Sequence, residues 1–234
     1  MKFVIFDIDG TLTDTKKVED KCFMKAFEQT FEIDIWNQKW ENLKNVTDWG
    51  ITEEIVQREW KRKPRRNEYE LMISNFVANL RTERKKDKFQ FSEVEGAKDF
   101  FNELKESEEF KLGIATGSWE KSAKLKLETI GIGLDEICFS HSDYHKSRES
   151  ITKDVIEQLT RKNKKTPEQI IYFGDGEWDF KTCQNLGIEF IGIDIENDGR
   201  LTDLGANTVF SNYLNKEQIM DKLKRRHRTM YIKS

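Results

Sequence analysis

Four short segments carry side chains able to do chemistry. Asp7 and Asp9 follow directly on the apolar run Phe3-Val4-Ile5-Phe6. A spacing of two in extended chain directs both carboxylates the same way. Thr116-Gly117-Ser118 closes a second apolar run, residues 112–115, and Lys146 lies in the loop after a third, residues 137–140. Asp175 and Asp179 follow a fourth run, residues 170–173. They stand four apart at the start of a predicted helix, which gives them one face. Asp and Gly are common in turns, so any one set could be an ordinary turn. All four, each breaking an apolar run abruptly, are hard to explain that way. Converging carboxylates cannot all ionise unless a cation sits between them. An oxygen-only ligand set favours Mg²⁺, completed by water and a substrate phosphate.

Such residues converge only if the runs before them are neighbouring strands. Residues 1–6 read as a buried strand. After Gly96 the pattern alternates between helices and strands. Helices are expected at 97–106, 121–130, 150–161 and 177–186, and strands at 112–115, 137–140, 170–173 and 189–193. Val209 and Phe210 add a last short strand before a C-terminal helix. Thr166-Pro167-Glu168-Gln169 has the form of a capping box with Pro at the first helical position, predicting a single helical turn. Alternating strands and helices imply an α/β fold with a Rossmann-like parallel sheet covered on both faces. Ligands of such sheets bind beyond the carboxyl ends of the strands, where the four segments fall.

Residues 16–88 differ. They are highly charged, almost free of Gly, and helical in spacing. Cys22, Phe23, Ala26, Phe27 and Phe31 form one stripe; Ile51, Ile55 and Trp60 a second; Leu71, Ile73, Phe76, Val77 and Leu80 a third. Roughly four helices are expected here. The division is therefore a core of residues 1–15 and 89–234 and a helical cap of residues 16–88.

The motifs resemble those of the haloacid dehalogenase-like hydrolases. Asp7-Ile8-Asp9-Gly10-Thr11-Leu12 is similar to the first motif of that superfamily, Ala115-Thr116-Gly117-Ser118 to the second, and Gly174-Asp175-Gly176-Glu177-Trp178-Asp179 to the fourth. The helical insertion resembles the cap of the phosphoglycolate phosphatase and β-phosphoglucomutase-like branch. The third motif departs from the family pattern, because its Lys-Pro is missing. His145-Lys146-Ser147-Arg148-Glu149 stands in its place, and Lys146 is taken as the lysine, with Lys153 as competitor.

The resemblance implies a Mg²⁺-dependent phosphatase acting on a small phosphorylated metabolite. It implies Asp7 as nucleophile and Asp9 as acid and base. The metal would be held by Asp7, the Asp9 carbonyl and Asp175. Thr116, Gly117, Ser118 and Lys146 would bind the phosphate, and Asp179 would orient Lys146 or a metal-bound water. Dehalogenases of the family lack the second acid, so Asp9 favours phosphoryl transfer. A phosphomutase would use the same residues and differ in how the cap excludes water. A non-catalytic phosphate-binding module is opposed by the intact set, and a receiver domain by the helical insertion.

A net charge of −3 gives no support to nucleic-acid binding. No segment approaches the ~20 apolar residues a membrane helix needs. Cys22, Cys138 and Cys183 are isolated, which points to reduced thiols and a cytoplasmic protein. The basic stretches 60–66, 84–88 and 222–228 read as solvated faces. His141, Asp143 and His145 read as a surface loop rather than a metal site. Residues 46–50 read either as a specificity loop facing the active site or as a capping turn with Trp49 in the cap core.

Overall fold

A computed structural model describes residues 1–225. The basic residues 226–228 therefore lie outside the described part.

Six parallel strands form the central sheet: β1 Lys2–Phe6, β4 Phe110–Ala115, β5 Cys138–Ser140, β6 Gln169–Gly174, β7 Glu189–Ile193 and β8 Val209–Phe210, in the order β5-β4-β1-β6-β7-β8. β1 is buried at all five positions, so both its faces must be apolar, and Phe3, Ile5 and Val4, Phe6 serve opposite sides. One face packs on α4 (Ala97–Glu106), α5 (Glu120–Ile130) and α9 (Lys216–Lys224), through Phe100, Phe101, Leu127 and Leu223. The other packs on α6 (Arg148–Asn163), α7 (Glu177–Leu186) and the short α8 (Arg200–Asp203), through Val155, Leu159, Cys183 and Leu201. The chain leaves β1 for β4 on one side and reaches β6 on the other, which makes the carboxyl end of β1 a topological switch point.

The Rossmann-like α/β sheet is as the sequence implies, but the capping-box segment is not helical. Glu168 N–H donates to the Met1 carbonyl at 3.0 Å, and Gln169 already pairs with Lys2 as the first residue of β6. Strand pairing with the chain's own start outweighs one isolated helical turn, which costs more to nucleate than it returns.

The insertion contains three α-helices, not four: α1 Lys16–Phe31, α2 Asp48–Trp60 and α3 Arg66–Lys86, with 3₁₀ turns at Trp40–Asn42 and Lys88–Phe91. The α1 stripe is buried as read. The α3 stripe is rotated: Leu71 is half exposed and Met72 is buried in its place. Trp60 is also exposed, where it meets Arg62. Trp119 and Leu125 of the core join the insertion's apolar cluster, and Trp119 stacks on Phe23 at 5.9 Å. Burying a side chain of that size stabilises the contact by about 2–3 kcal/mol. Where the chain enters and leaves the insertion, β2 (Thr13–Asp14) and β3 (Ser92–Glu93) form an antiparallel ladder. Nothing in the apolar pattern announces two strands of two residues.

Candidate active site

The carboxyl end of β1 delivers Asp7, whose N–H donates to the Phe173 carbonyl of β6 at 2.9 Å. The chain then turns sharply. Gly10 adopts φ +76°, and a Cβ there would collide with the Asp175 carboxylate. Only glycine combines that conformation with that approach. Asp7, Asp175 and Asp179 bring carboxylate oxygens within 4.8 Å of one another, and all three residues are buried. Asp175 Oδ1 has no hydrogen-bond partner, while Lys16 Nζ donates to Oδ2 at 2.6 Å. Asp179 accepts from Gly176 N–H at 3.1 Å and from the Tyr172 hydroxyl at 3.2 Å.

Asp9 does not join this group through its carboxylate. The chain has left the strand by Ile8, so the extended-chain spacing no longer applies. Thr15 Oγ1 donates to Asp9 Oδ1 at 2.6 Å, and Ser118 Oγ to Oδ2 at 3.1 Å. Lys126 Nζ contacts Asp9, Glu19 and Ser118 together. The Lys126 side chain is 0% exposed, so this charge is neutralised wholly by its neighbours.

The expected phosphate lysine is elsewhere. Lys146 Nζ lies 2.5 Å from Glu53 of α2 and over the Trp49 ring, with its side chain 40% exposed. Lys153 is exposed. The cation beside Asp7 is Arg148: Nη1 stands 3.0 Å from Asp7 Oδ1 and 3.2 Å from Asp179 Oδ1, and Nε donates to the Val46 carbonyl at 3.0 Å. Ser147 caps α6 by accepting from Ser150 N–H at 3.2 Å, which makes Arg148 the first helical residue and turns it toward the strand ends. A cation at a helix N-terminus opposes the macrodipole, and the two carboxylates offset this. Gly117 makes room, since a Cβ there would lie 2.7 Å from the guanidinium. The expectation that Asp179 orients Lys146 is therefore replaced by an Asp179–Arg148 pair.

Gly117 and Ser118 line the cavity before Asp7, and Ser118 N–H donates to Thr116 Oγ1 at 3.1 Å. Residues 46–50 form a capping turn, and Val46, Thr47 and Asp48 line the cavity before Asp7. Thr47 caps α2, accepting from Gly50 N–H at 3.0 Å, and Trp49 packs on Tyr69. Asp48 reaches the core: its N–H donates to the Gly117 carbonyl at 2.7 Å, and its carboxylate accepts from Trp119 N–H at 2.8 Å. Residues 141–147 form a loop in which Tyr144 is exposed; His141 is buried, 3.1 Å from Asp143, and His145 faces Asp154. Among the described residues, only Asp7, Asp175 and Asp179 group as metal-ligating side chains.

Burial pushes the Asp7 carboxyl up to about 8; Arg148 opposes this, and Asp179, Asp175 and Asp9 add to it. Burial likewise raises Asp179 to about 6, against Arg148. Burial works the same way on Asp9, but Lys126 and the bonds from Glu19 and Thr15 outweigh it and hold Asp9 low. Glu19 rises well above the carboxylate range through burial and the Asp9 charge.

The sequence matches the haloacid dehalogenase-like hydrolase family over residues 4–193, and the chain belongs to that family. Its fold is shared with a hydrolase from Pseudomonas syringae at TM-score 0.72 and 17% identity, over 95% of this chain and 99% of that one. CbbY from Rhodobacter sphaeroides, solved in complex with phosphate, aligns at TM-score 0.65 and 16% identity, over 91% and 95%. A predicted phosphoglycolate phosphatase from Haemophilus somnus aligns at TM-score 0.59 and 14% identity, over 94% and 98%. No curated protein matches the chain by sequence. The protein is thus a haloacid dehalogenase-like hydrolase, and its fold is the one shared by these solved structures. No helix among the described residues is long and apolar enough to cross a membrane.

Proposed function

We propose that the protein is a Mg²⁺-dependent phosphatase that hydrolyses a small phosphomonoester through an aspartyl phosphate on Asp7. The observation that carries this is the placement of Asp7 at the switch point, between the Arg148 guanidinium and the carboxylates of Asp175 and Asp179.

The donor set fits the metal. Three buried carboxylates, one with an oxygen lacking any partner, suit a hard divalent cation. Asp7 and Asp175, with the Asp9 carbonyl, would hold Mg²⁺, and Asp179 lies close enough to contribute. The ion would supply Lewis-acid charge neutralisation at the phosphoryl oxygens.

The protein's own residues account for the remaining steps. Asp7 attacks phosphorus, and the bond to the leaving oxygen breaks as that oxygen takes a proton from Asp9. Water then attacks phosphorus, passes a proton to Asp9, and releases phosphate while Asp7 regains its carboxylate. Arg148 holds the phosphoryl oxygens with Thr116, Ser118 and backbone N–H groups. Asp179 fixes the guanidinium. Lys146 acts away from phosphorus, in docking the cap.

The test is phosphate release from a panel of phosphomonoesters, with Mg²⁺ and with chelator, for wild type and Asp7→Asn. Metal-dependent release that vanishes in Asp7→Asn is the expected result. Isomerisation of a sugar phosphate without free phosphate would replace this reading with a phosphomutase.

A further inference from the structure

The cavity in front of Asp7 has a volume of about 70 Å³, room for on the order of a few water-sized groups. Its far wall comes from the insertion. Lys16, Glu19, Asp20 and Phe23 are spaced i, i+3, i+4, i+7 and form one face of α1 turned into the cavity. Trp40 and Asp48 complete this wall.

Three of these groups are carboxylates, and the nearby cations are all engaged. Lys16 is held by Asp175 at 2.6 Å, and Arg148 by Asp7 and Asp179. Lys126 is sealed behind Asp9 and Glu19 with no exposed surface. Among the described residues lining the cavity, Lys16 is the one cation besides Arg148, and Glu19, Asp20 and Asp48 outnumber it even when a metal on Asp175 releases it. Asp20 accepts one bond, from the Trp40 indole at 3.1 Å, and Asp48 accepts the Trp119 N–H, which leaves oxygens of both able to accept more. The rings of Phe23 and Trp40, 6.0 Å apart, offer an apolar flank suited to methylene groups or to an ammonium.

We infer that the substrate is a short phosphomonoester whose leaving group carries hydroxyl or ammonium hydrogens and no anion, bound by Glu19, Asp20 and Asp48. This rests on the phosphatase reading and deepens it. A carboxylate on the leaving group would add a fourth carboxyl beside Glu19, Asp20 and Asp48 in a small, poorly solvated space, where they cannot all ionise. Hydroxyl or ammonium donors would instead satisfy them.

A matched two-carbon series tests this: 2-phosphoglycolate, 2-hydroxyethyl phosphate and O-phosphoethanolamine, with glucose 6-phosphate as a bulky comparator. The neutral or the cationic ester is expected to exceed 2-phosphoglycolate in kcat/KM by at least about tenfold, the scale of one repelled charge. Which of the two leads tells hydroxyl from ammonium. Asp20→Asn, which keeps its shape and its bond from Trp40, is expected to narrow the ratio to 2-phosphoglycolate. Equal rates across the series, or a lead by 2-phosphoglycolate, would overturn the inference while leaving a phosphatase. A lead by glucose 6-phosphate would overturn the short leaving group. No release from any ester would overturn the phosphatase reading, and the inference with it.

Discussion

Arg148 Nη1 stands 3.0 Å from Asp7 Oδ1, and the lysine two residues earlier faces away to Glu53. The two cations flank one helix cap, Ser147, yet only the one inside the helix reaches the strand ends. Arg148→Ala is expected to lower kcat about 10²–10³-fold, as loss of a preorganised donor does. Lys146→Ala should change kcat by less than about fivefold, since a half-exposed ion pair contributes only ~0–1 kcal/mol. Steady-state phosphate release from both variants checks this; the reverse ranking would return the phosphate-binding role to Lys146.

Lys126 offers a stability test. It is buried against Asp9 and Glu19, so Lys126→Met leaves two carboxylates without their cation. Such a loss costs about 3–5 kcal/mol. Adding Glu19→Gln should recover part of it, because one of the stranded charges is removed. Urea unfolding of the single and double variants measures the coupling, and strictly additive effects would show that the contact carries no energy.

Metal binding should compete with Lys16. Its ammonium occupies the Asp175 oxygen that a cation would share. Lys16→Ala is therefore expected to tighten Mg²⁺ binding several-fold. The reading is the Mg²⁺ dependence of Tm, where ligand at 100 times Kd adds about 2.7 kcal/mol. Asp175→Asn should abolish the shift, and chelator should reverse it in wild type.

Asp48 makes cap docking sensitive to pH. Burial pushes its carboxyl up to about 7, Lys126 and the Trp119 N–H opposing and Asp9 adding. A folded pKa above the unfolded one means stability fully present below about pH 4, the unfolded value. That stability is lost as pH rises through about 7. Asp48→Asn removes this contribution, on the order of 4 kcal/mol across the window. Its Tm should therefore fall less than that of wild type between acid and neutral pH, and parallel profiles would refute the assignment.

The sheet was legible because its strands are short, wholly apolar runs ending in acid or glycine. β1 and β6 show this best. Asp7, Asp175 and Asp179 were legible for the same reason, since each follows such a run and strand topology brings the runs together. Arg148 was missed because residue type was weighed above helix phase. Ser147 as a cap, one residue before it, was the available signal. Lys126 was equally findable: it falls in the apolar stripe Ala123, Leu127, Ile130 of α5, where a lysine needs a buried partner. Its partner Glu19 sits more than a hundred residues away, and no local pattern links them. The segment 166–169 failed for the opposite reason, a strong local signal overridden by a distant strand.

The ladder of Thr13 with Glu93 and Asp14 with Ser92 brings the insertion's two ends side by side. To the sheet, everything between them is a single closed excursion. Its length and contents can change without altering the register of any core strand. The excursion is still tied into the site, since Lys16 reaches Asp175, Glu19 meets the lysine that holds Asp9, and the Val46 carbonyl holds Arg148. On the proposed reading, new leaving groups would be accommodated by changing the rest of the excursion while these contacts and Asp7 stay in place.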